Sequence, residues 1–193
     1  MKQKNKKNIR LCSDKEVFHR FIKVKEMDFY LENENTHIKR FVVSRPQAAA
    51  ILLFNRENKT IVLISQFRAP VFHAKDEPYI LEIPAGVLEI NENAEESIVR
   101  ETLEETGYRI ETPLFLKTIF PSPGIVDEKI HLFFAEVVNA DRINAGGGLD
   151  SEKEFLEVHE FSVDHVLEMI KKQEIADAKT IIAFLLAKEK KLI

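Results

Sequence analysis

The stretch from Asn93 to Gly107 constrains this chain more than any other, because both of its ends are marked. Asn93 can cap the free amides of a helix, Glu96 three residues later completes a capping box, and Gly107 supplies a left-handed exit. Residues 93–106 therefore read as a helix. On it, Glu101, Glu104 and Glu105 stand at i, i+3 and i+4 and project from nearly one face. Residues 89–105 hold seven acids, Glu89, Glu92, Glu95, Glu96, Glu101, Glu104 and Glu105, with Arg100 as the one base among them. Like charge at that density costs stability unless something cationic sits there, and hard divalent metals with oxygen ligands are the natural remedy. A solvated acidic helix face is the alternative reading. The preceding Glu82-Ile83-Pro84-Ala85-Gly86 favours the metal: Pro84 stiffens the chain, Gly86 leaves room for a bulky ligand against the backbone, and a main-chain carbonyl there would complete a metal site.

Around this helix the pattern is mixed. Residues 17–31 and 37–44 are rich in β-branched and aromatic residues, flank the polar turn Glu32-Asn33-Glu34-Asn35, and resemble a hairpin. Residues 47–54 and 60–67 form a second pair across Asn55-Arg56-Glu57-Asn58. Residues 79–83, 114–120, 130–138 and 156–161 read as further strands, and 163–172 and 176–190 as amphipathic helices. Strands and helices interleave without strict βαβ repetition, which gives an α/β class: a mixed sheet between helices, with an N-terminal antiparallel hairpin region. Residues 1–10, with four lysines and one arginine, read as a flexible basic tail, 11–45 as an N-terminal β region, and 46–193 as the main domain. Residues 139–154, which include Gly146-Gly147-Gly148, form the longest irregular stretch and read as a mobile loop.

Composition excludes several classes. The 193 residues carry 28 Lys+Arg against 32 Asp+Glu, a net charge of −4, which argues against a general nucleic-acid binder resting on many phosphate contacts. No apolar run approaches the roughly 20 residues of a membrane-spanning helix, and the basic N-terminus lacks the apolar core of a signal peptide, so the expectation is a cytoplasmic protein with no membrane partner. Cys12 is the single cysteine, which excludes an internal disulfide and a Cys-rich metal site.

Gly86, Glu92 and the run Arg100-Glu101-Thr102-Leu103-Glu104-Glu105-Thr106-Gly107-Tyr108 closely resemble the Nudix box, GX5EX7REUXEEXGU, where U is a bulky aliphatic residue. Every Gly, Glu and Arg of the pattern is present. Thr102 and Tyr108 depart from it at U positions. The resemblance implies a Nudix fold over residues 46–193 and hydrolysis of a nucleoside diphosphate linked to another moiety, with Mg²⁺ or Mn²⁺. By the same resemblance Glu101 and Glu105 are the main metal ligands, Glu104 assists, the carbonyl of Ala85 is a further ligand, and Arg100 orients the glutamates. Glu92 and Gly107 are then mainly structural. Bare carboxylates would repel a diphosphate, whereas bound cations reverse the local sign, polarise phosphorus and activate water.

Ser122-Pro123-Gly124, with Pro123 sixteen residues after Gly107, resembles the mark of ADP-ribose and nucleotide-sugar pyrophosphatases within the superfamily. Arg142-Ile143-Asn144-Ala145-Gly146-Gly147-Gly148 is similar to the GDP-mannose hydrolases of that branch. The branch implies Pro123 and Gly124 at the substrate, a homodimer with exchanged N-terminal strands, and a late-loop glutamate as catalytic base. Glu154 fits that role, with Glu152 as the alternative.

Arg45 and Arg68 could clamp phosphates or stack on a base, or serve as surface ion-pair partners. Phe18, Phe29 and Tyr30 read as core before they read as a base stack. His73 and His131 read as structural or surface residues. The leading function is hydrolysis of ADP-ribose or a related nucleotide sugar to a nucleoside monophosphate and a sugar phosphate. A GDP-mannose-type hydrolase, a nucleoside triphosphate house-cleaning hydrolase and a non-catalytic nucleotide-sugar sensor are the alternatives. The intact Glu101, Glu104 and Glu105 speak against the sensor.

Overall fold

The computed structural model describes residues 8–20, 22–148 and 155–193. The chain divides into two units, Met1–Pro46 with Phe120–Glu128, and Gln47–Ile119 with Lys129–Ile193.

In the first unit, strands β1 (Ile9–His19), β2 (Lys23–Leu31) and β3 (Thr36–Ser44) form an antiparallel meander, with Ile9 opposite Leu31 and Lys23 opposite Ser44. Two bulges interrupt β1, between Leu11 and Ser13 and between Glu16 and Phe18. The stretch expected as one strand over 17–31 is therefore two, and Ile9 and Arg10, expected in a tail, begin β1. No glycine, proline or asparagine marks the turn after His19, so the sequence offered no break there. Phe18 is exposed and Phe29 and Tyr30 are half-buried, so these aromatics are not the core residues they were expected to be. The segment 120–128 joins this unit through Val43, which bridges Val126 in parallel, and through Asp127, which accepts from the Ser44 hydroxyl at 2.7 Å and the Arg45 amide at 2.9 Å.

The second unit is built on β4 (Ala48–Asn55), buried along its whole length. Successive side chains on a strand point to opposite faces, so β4 divides the core in two. Ala48, Ala50, Leu52 and Phe54 join one cluster, and Ala49, Ile51 and Leu53 the other. A strand apolar on both faces needs cover on both. Helices α3 (Val163–Lys171) and α4 (Ala178–Glu189) cover the first face with Val166, Met169, Ala183 and Phe184. Helix α2 (Ala94–Thr106) covers the second with Ile98.

Among the described residues the sheet runs β10 (Glu157–Ser162), β5 (Thr60–Phe67), β4, β9 (Ile130–Val137), β8 (Leu114–Ile119), with β6 (Tyr79–Glu82) on β5 and β7 (Ala85–Val87) on β4. The β4–β9 pair is parallel and the other pairs are antiparallel, so the sheet is mixed, as the sequence pattern implies. Two short elements were not expected from the sequence: α1 (Ala69–His73), with Pro70 in its first turn, and the three-residue β7. No described helix is long and apolar enough to cross a membrane.

Candidate active site

Helix α2 starts and stops as its sequence dictates. The Asn93 side chain accepts from the amides of Glu95 and Glu96, the Glu96 carboxylate accepts from the Asn93 amide at 3.2 Å, and Gly107 exits at φ 77°. Thr102, the departure from an aliphatic position, is fully buried, and its hydroxyl donates to the Ile98 carbonyl one turn back at 2.5 Å. The helix therefore buries no orphaned hydroxyl at that point.

With both ends set, the acids face a single guanidinium. Arg100 donates through Nε and Nη2 to the two oxygens of Glu92, both at 3.1 Å, and through Nη1 to Glu101 at 2.9 Å and Glu104 at 3.0 Å. Hydrogen bonding to Glu92, with the Glu101 charge, outweighs partial burial and raises the Arg100 pKa. The Glu92 carboxyl is lowered in turn, first by its bonds from Arg100. Glu105 is 2% exposed and accepts from the Ala85 amide at 2.9 Å. The helix meets the turn before it at Gly86, where a β-carbon would stand 1.9 Å from the Glu101 carboxyl carbon. The room left by Gly86 is thus taken by the Glu101 carboxylate itself, not by a ligand as the sequence suggested.

Three carboxylates on one guanidinium, with Glu105 a fourth against the Ala85 amide, leave an excess of negative charge, and carboxylate and main-chain oxygens suit a hard divalent cation. Among the described residues no three acidic, histidine or cysteine side chains already form a closed metal cage, because Arg100 occupies the space between Glu101 and Glu104. A cavity of about 640 Å³ opens beside this array, lined by Gln66, Arg68, Ala85, Gly86, Arg100 and Glu101 among others.

Arg68 is brought to this cavity, but it is also engaged. Its Nε and Nη2 donate to the Glu82 carboxylate at 2.6 and 2.8 Å. Lys179 is a second partner of Glu82 and reaches Asp177 at 3.1 Å. Burial pushes the Glu82 carboxyl up, yet the Arg68 hydrogen bond and the Lys179 and Arg68 charges outweigh it and the net shift is downward. The Thr180 hydroxyl accepts from the Ile83 amide at 2.9 Å and donates to Asp177 at 2.6 Å. This ion cluster anchors the start of the Pro84 turn and was not foreseen from the sequence; its partners lie 97 residues apart.

Arg45, Pro123 and Gly124 belong to the first unit. Arg45 reaches Glu128 at 3.6 Å. Pro123 and Gly124 are exposed and line a cavity of about 540 Å³ with Phe29, Arg40, Phe41 and Phe120. Glu152 and Glu154 lie outside the described residues. His131 is a structural residue: its ring nitrogens bond Thr118 at 2.9 Å and Gln47 at 2.8 Å.

The expected mobile loop takes another form over the residues that precede Leu149. Gly146, Gly147 and Gly148 sit at φ of 69°, 110° and 79°, and the amides of Gly147 and Gly148 donate to the Glu105 and Glu104 carbonyls at 2.8 and 3.2 Å. This run is docked on the acidic helix. Glycine is needed there for the backbone angles and the close approach, and not for freedom.

The second departure from the box, Tyr108, is 1% exposed and donates to Glu160 at 2.5 Å, while Asn55 donates to its oxygen at 3.3 Å. Thr60 donates to the other Glu160 oxygen at 2.5 Å. A phenol with these partners replaces an aliphatic side chain without leaving a buried polar atom unpaired.

A family model described as the NUDIX domain matches residues 44–184. The chain is 36% identical over 179 residues to a GDP-mannose pyrophosphatase of Cronobacter sakazakii, covering 91% of this chain and 92% of the relative. It is 38% identical over 178 residues to one from Citrobacter koseri, covering 90% and 92%. A crystal structure of an ADP compounds hydrolase superposes with a TM-score of 0.76 at 20% identity, covering 94% of this chain and 93% of that one, which shows a shared fold.

Proposed function

The chain belongs to the NUDIX domain family, and from that membership we propose that it hydrolyses the pyrophosphate bond of a nucleoside diphosphate sugar, giving a nucleoside monophosphate and a sugar phosphate. The observation that carries the reading is the acid array itself: Glu92, Glu101 and Glu104 drawn around Arg100, with Glu105 buried against the Ala85 amide. Such an excess of carboxylate suits a divalent cation facing a diphosphate. The names of the relatives favour GDP-mannose over ADP-ribose as the first substrate to try.

Glu101, Glu104, Glu105 and the Ala85 carbonyl would hold Mg²⁺ or Mn²⁺. Bound there, the metal would neutralise the diphosphate and lower the pKa of a water. Arg100 keeps the helix carboxylates aligned and, with Glu92, fixes the base of the array. Arg68 offers Nη1 to a phosphate oxygen, since Glu82 occupies its other two nitrogens. Glutamates committed to a metal are poor bases, so a separate carboxylate is required, and we assign Glu154, with Glu152 as the alternative. A general base contributes about 10² to 10⁴ in rate, so Glu154→Gln loses turnover in that span with KM little changed, and Glu152→Gln loses much less. The reverse ranking moves the base to Glu152, and two silent variants remove it from the loop. The reading extends to a cytoplasmic homodimer that exchanges its N-terminal strands, supported by the exposed Ile9, Leu11, Phe18 and Phe41 of β1 and β3. A strict monomer with full activity in sedimentation at micromolar concentration would refute that part.

The test is phosphate release with a coupled phosphatase over GDP-mannose, ADP-ribose, other nucleotide sugars and nucleoside triphosphates, with Mg²⁺ or Mn²⁺. Release from nucleotide sugars only when both enzymes are present is the expected result. Release from triphosphates alone, or from nothing, sinks the reading.

A further inference from the structure

Helix α2 ends at Thr106, so Glu104 and Glu105 lie in its last turn. Carbonyls there have no partner within the helix and helix ends fray. A functional carboxylate, by contrast, must be held to about 0.5 Å. Here three successive carbonyls each receive an amide: Leu103 from Gly107 at 3.0 Å, Glu104 from Gly148 at 3.2 Å and Glu105 from Gly147 at 2.8 Å. Two of the three donors come from the strap 142–148.

That strap is fastened along its length. The Ile143 amide donates to the Gly107 carbonyl at 2.9 Å, Arg142 pairs with Tyr108 in an antiparallel bridge, and its guanidinium lies 5.9 Å from the centre of the Tyr108 ring. The Asn144 side chain accepts from the Gly146 amide at 2.8 Å and holds the turn before the glycines. Contact is close on both sides. A β-carbon on Gly107 would stand 2.1 Å from the Asn144 carbonyl oxygen, and one on Gly146 would stand 2.5 Å from the Glu105 carbonyl oxygen. Both obstacles are backbone, so neither side can yield by a rotamer change.

We propose that the strap 142–148 is a positioning element for the acidic helix: its glycine amides fix the carbonyls of Glu104 and Glu105 and thereby set where those two carboxylates stand. In this role the strap acts through the helix. The proposal rests on the reading that Glu104 and Glu105 serve a divalent cation.

Gly146→Ala lifts the strap from the helix. Groups that support metal ligands from outside are typically worth about 10- to 100-fold in metal affinity or activity, so the Kd for Mn²⁺, read by calorimetry on the substrate-free protein, should rise within that range. The number of sites should stay at the wild-type value, and kcat on a nucleotide sugar should fall with KM little changed. Asn144→Ala removes the anchor of the Gly146 amide without adding an atom, and should raise the Kd in the same direction by a smaller factor. If Gly146→Ala does not fold, Asn144→Ala carries the test. Wild-type Kd in the folded variants overturns the proposal. So does a lower number of sites at unchanged Kd, because that is the mark of a partly unfolded sample. The titration is read without turnover, so a wild-type protein that splits no nucleotide sugar overturns the functional reading and leaves the Kd comparison to decide on the strap.

Discussion

Two charge clusters in the second unit face the same difficulty and resolve it differently. Around Glu82 the count is even: Glu82 and Asp177 meet Arg68 and Lys179, and Glu82 and Lys179 are nearly sealed from solvent. Around Arg100 it is uneven, with Glu92, Glu101 and Glu104 on one guanidinium and Glu105 against an amide. A balanced cluster neutralises its own charge and draws in no cation, whereas an unbalanced one keeps its excess until a cation arrives. The two are also joined in sequence. Glu82 and Ile83 are held by the even cluster, and Ala85 and Gly86, three and four residues after Glu82, receive the uneven one. The structural cluster anchors the turn on which the functional one rests.

The largest effect expected on this contrast is in the uneven cluster. Glu105→Gln keeps the shape and an acceptor for the Ala85 amide but removes a charge. Metal charge stabilisation is worth several kcal/mol, and about 1.4 kcal/mol is tenfold in rate, so turnover should fall about 10³-fold. The melting temperature without metal should be unchanged or slightly higher, because a crowded negative charge is gone. Full activity of this variant at ordinary Mg²⁺ would break the contrast.

The even cluster should respond in the opposite sense. Lys179→Met leaves Glu82 with Arg68 alone and strips Asp177 of its ammonium partner. Breaking a buried pair costs about 3–5 kcal/mol, and one kcal/mol is about 2–4 °C in a chain of this size, so the melting temperature should fall by roughly 6–12 °C at the lower cost. Turnover measured well below the melting point should stay near wild type. A Lys179→Met protein that melts normally and turns over poorly would reverse the roles assigned to the two clusters.

A smaller effect separates them by pH. The folded Glu82 carboxyl lies below its ordinary value: burial acts upward, but Arg68 and Lys179 prevail. A depressed carboxyl contributes stability that is present above its unfolded pKa and is lost as pH falls through the folded value. Glu82→Gln should therefore flatten the acid limb of a melting-temperature profile below about pH 4.5. It should not abolish that limb, since the Glu92 and Glu160 carboxyls are also lowered. An acid limb identical to wild type would show that the even cluster adds nothing to acid stability.

How far these features could be read in advance follows from how local their causes are. The limits of α2 were legible because the cap, the capping box and the left-handed glycine lie within the segment they end. The acid array was legible because helical spacing alone puts Glu101, Glu104 and Glu105 on one face. The Glu82 cluster was not, because Lys179 and Thr180 reach it from α4 across the fold. Gly146, Gly147 and Gly148 were read as freedom because nothing in three consecutive glycines distinguishes a hinge from a backbone held at positive φ. The unpaired carbonyls at the end of α2 were the one hint that something must dock there. The aromatics of β1 and β2 misled for a related reason: in a three-stranded meander an apolar alternation does not say which face is covered.

The smallest effect concerns a carboxylate that no cation contacts directly, and it sharpens the contrast by supplying a third way to hold a half-buried charge. Glu160 is satisfied by neutral donors, the hydroxyls of Tyr108 and Thr60 and, at 3.4 Å each, the side-chain amides of Asn55 and Asn58, with Arg142 acting only through its field. Tyr108→Phe removes one donor while Thr60, Asn55 and Asn58 remain, so the loss should sit near the low end of the cost of a lost hydrogen bond to a charged group, about 1 kcal/mol or a few degrees in melting temperature. The alkaline side gives a cleaner signature. Burial first, and then the bond to Glu160, push the Tyr108 phenol up from 10.0 to about 12. Below pH 10 the phenol is neutral in both states and its contribution is fully present. Between pH 10 and about 12 the unfolded chain has already lost this proton while the folded protein keeps it, so stability falls with rising pH over that window. Tyr108→Phe should remove that part of the alkaline limb and the late-titrating component of tyrosinate absorbance. An alkaline limb unchanged in the variant would show that burial and Glu160 do not hold the Tyr108 proton in the folded protein.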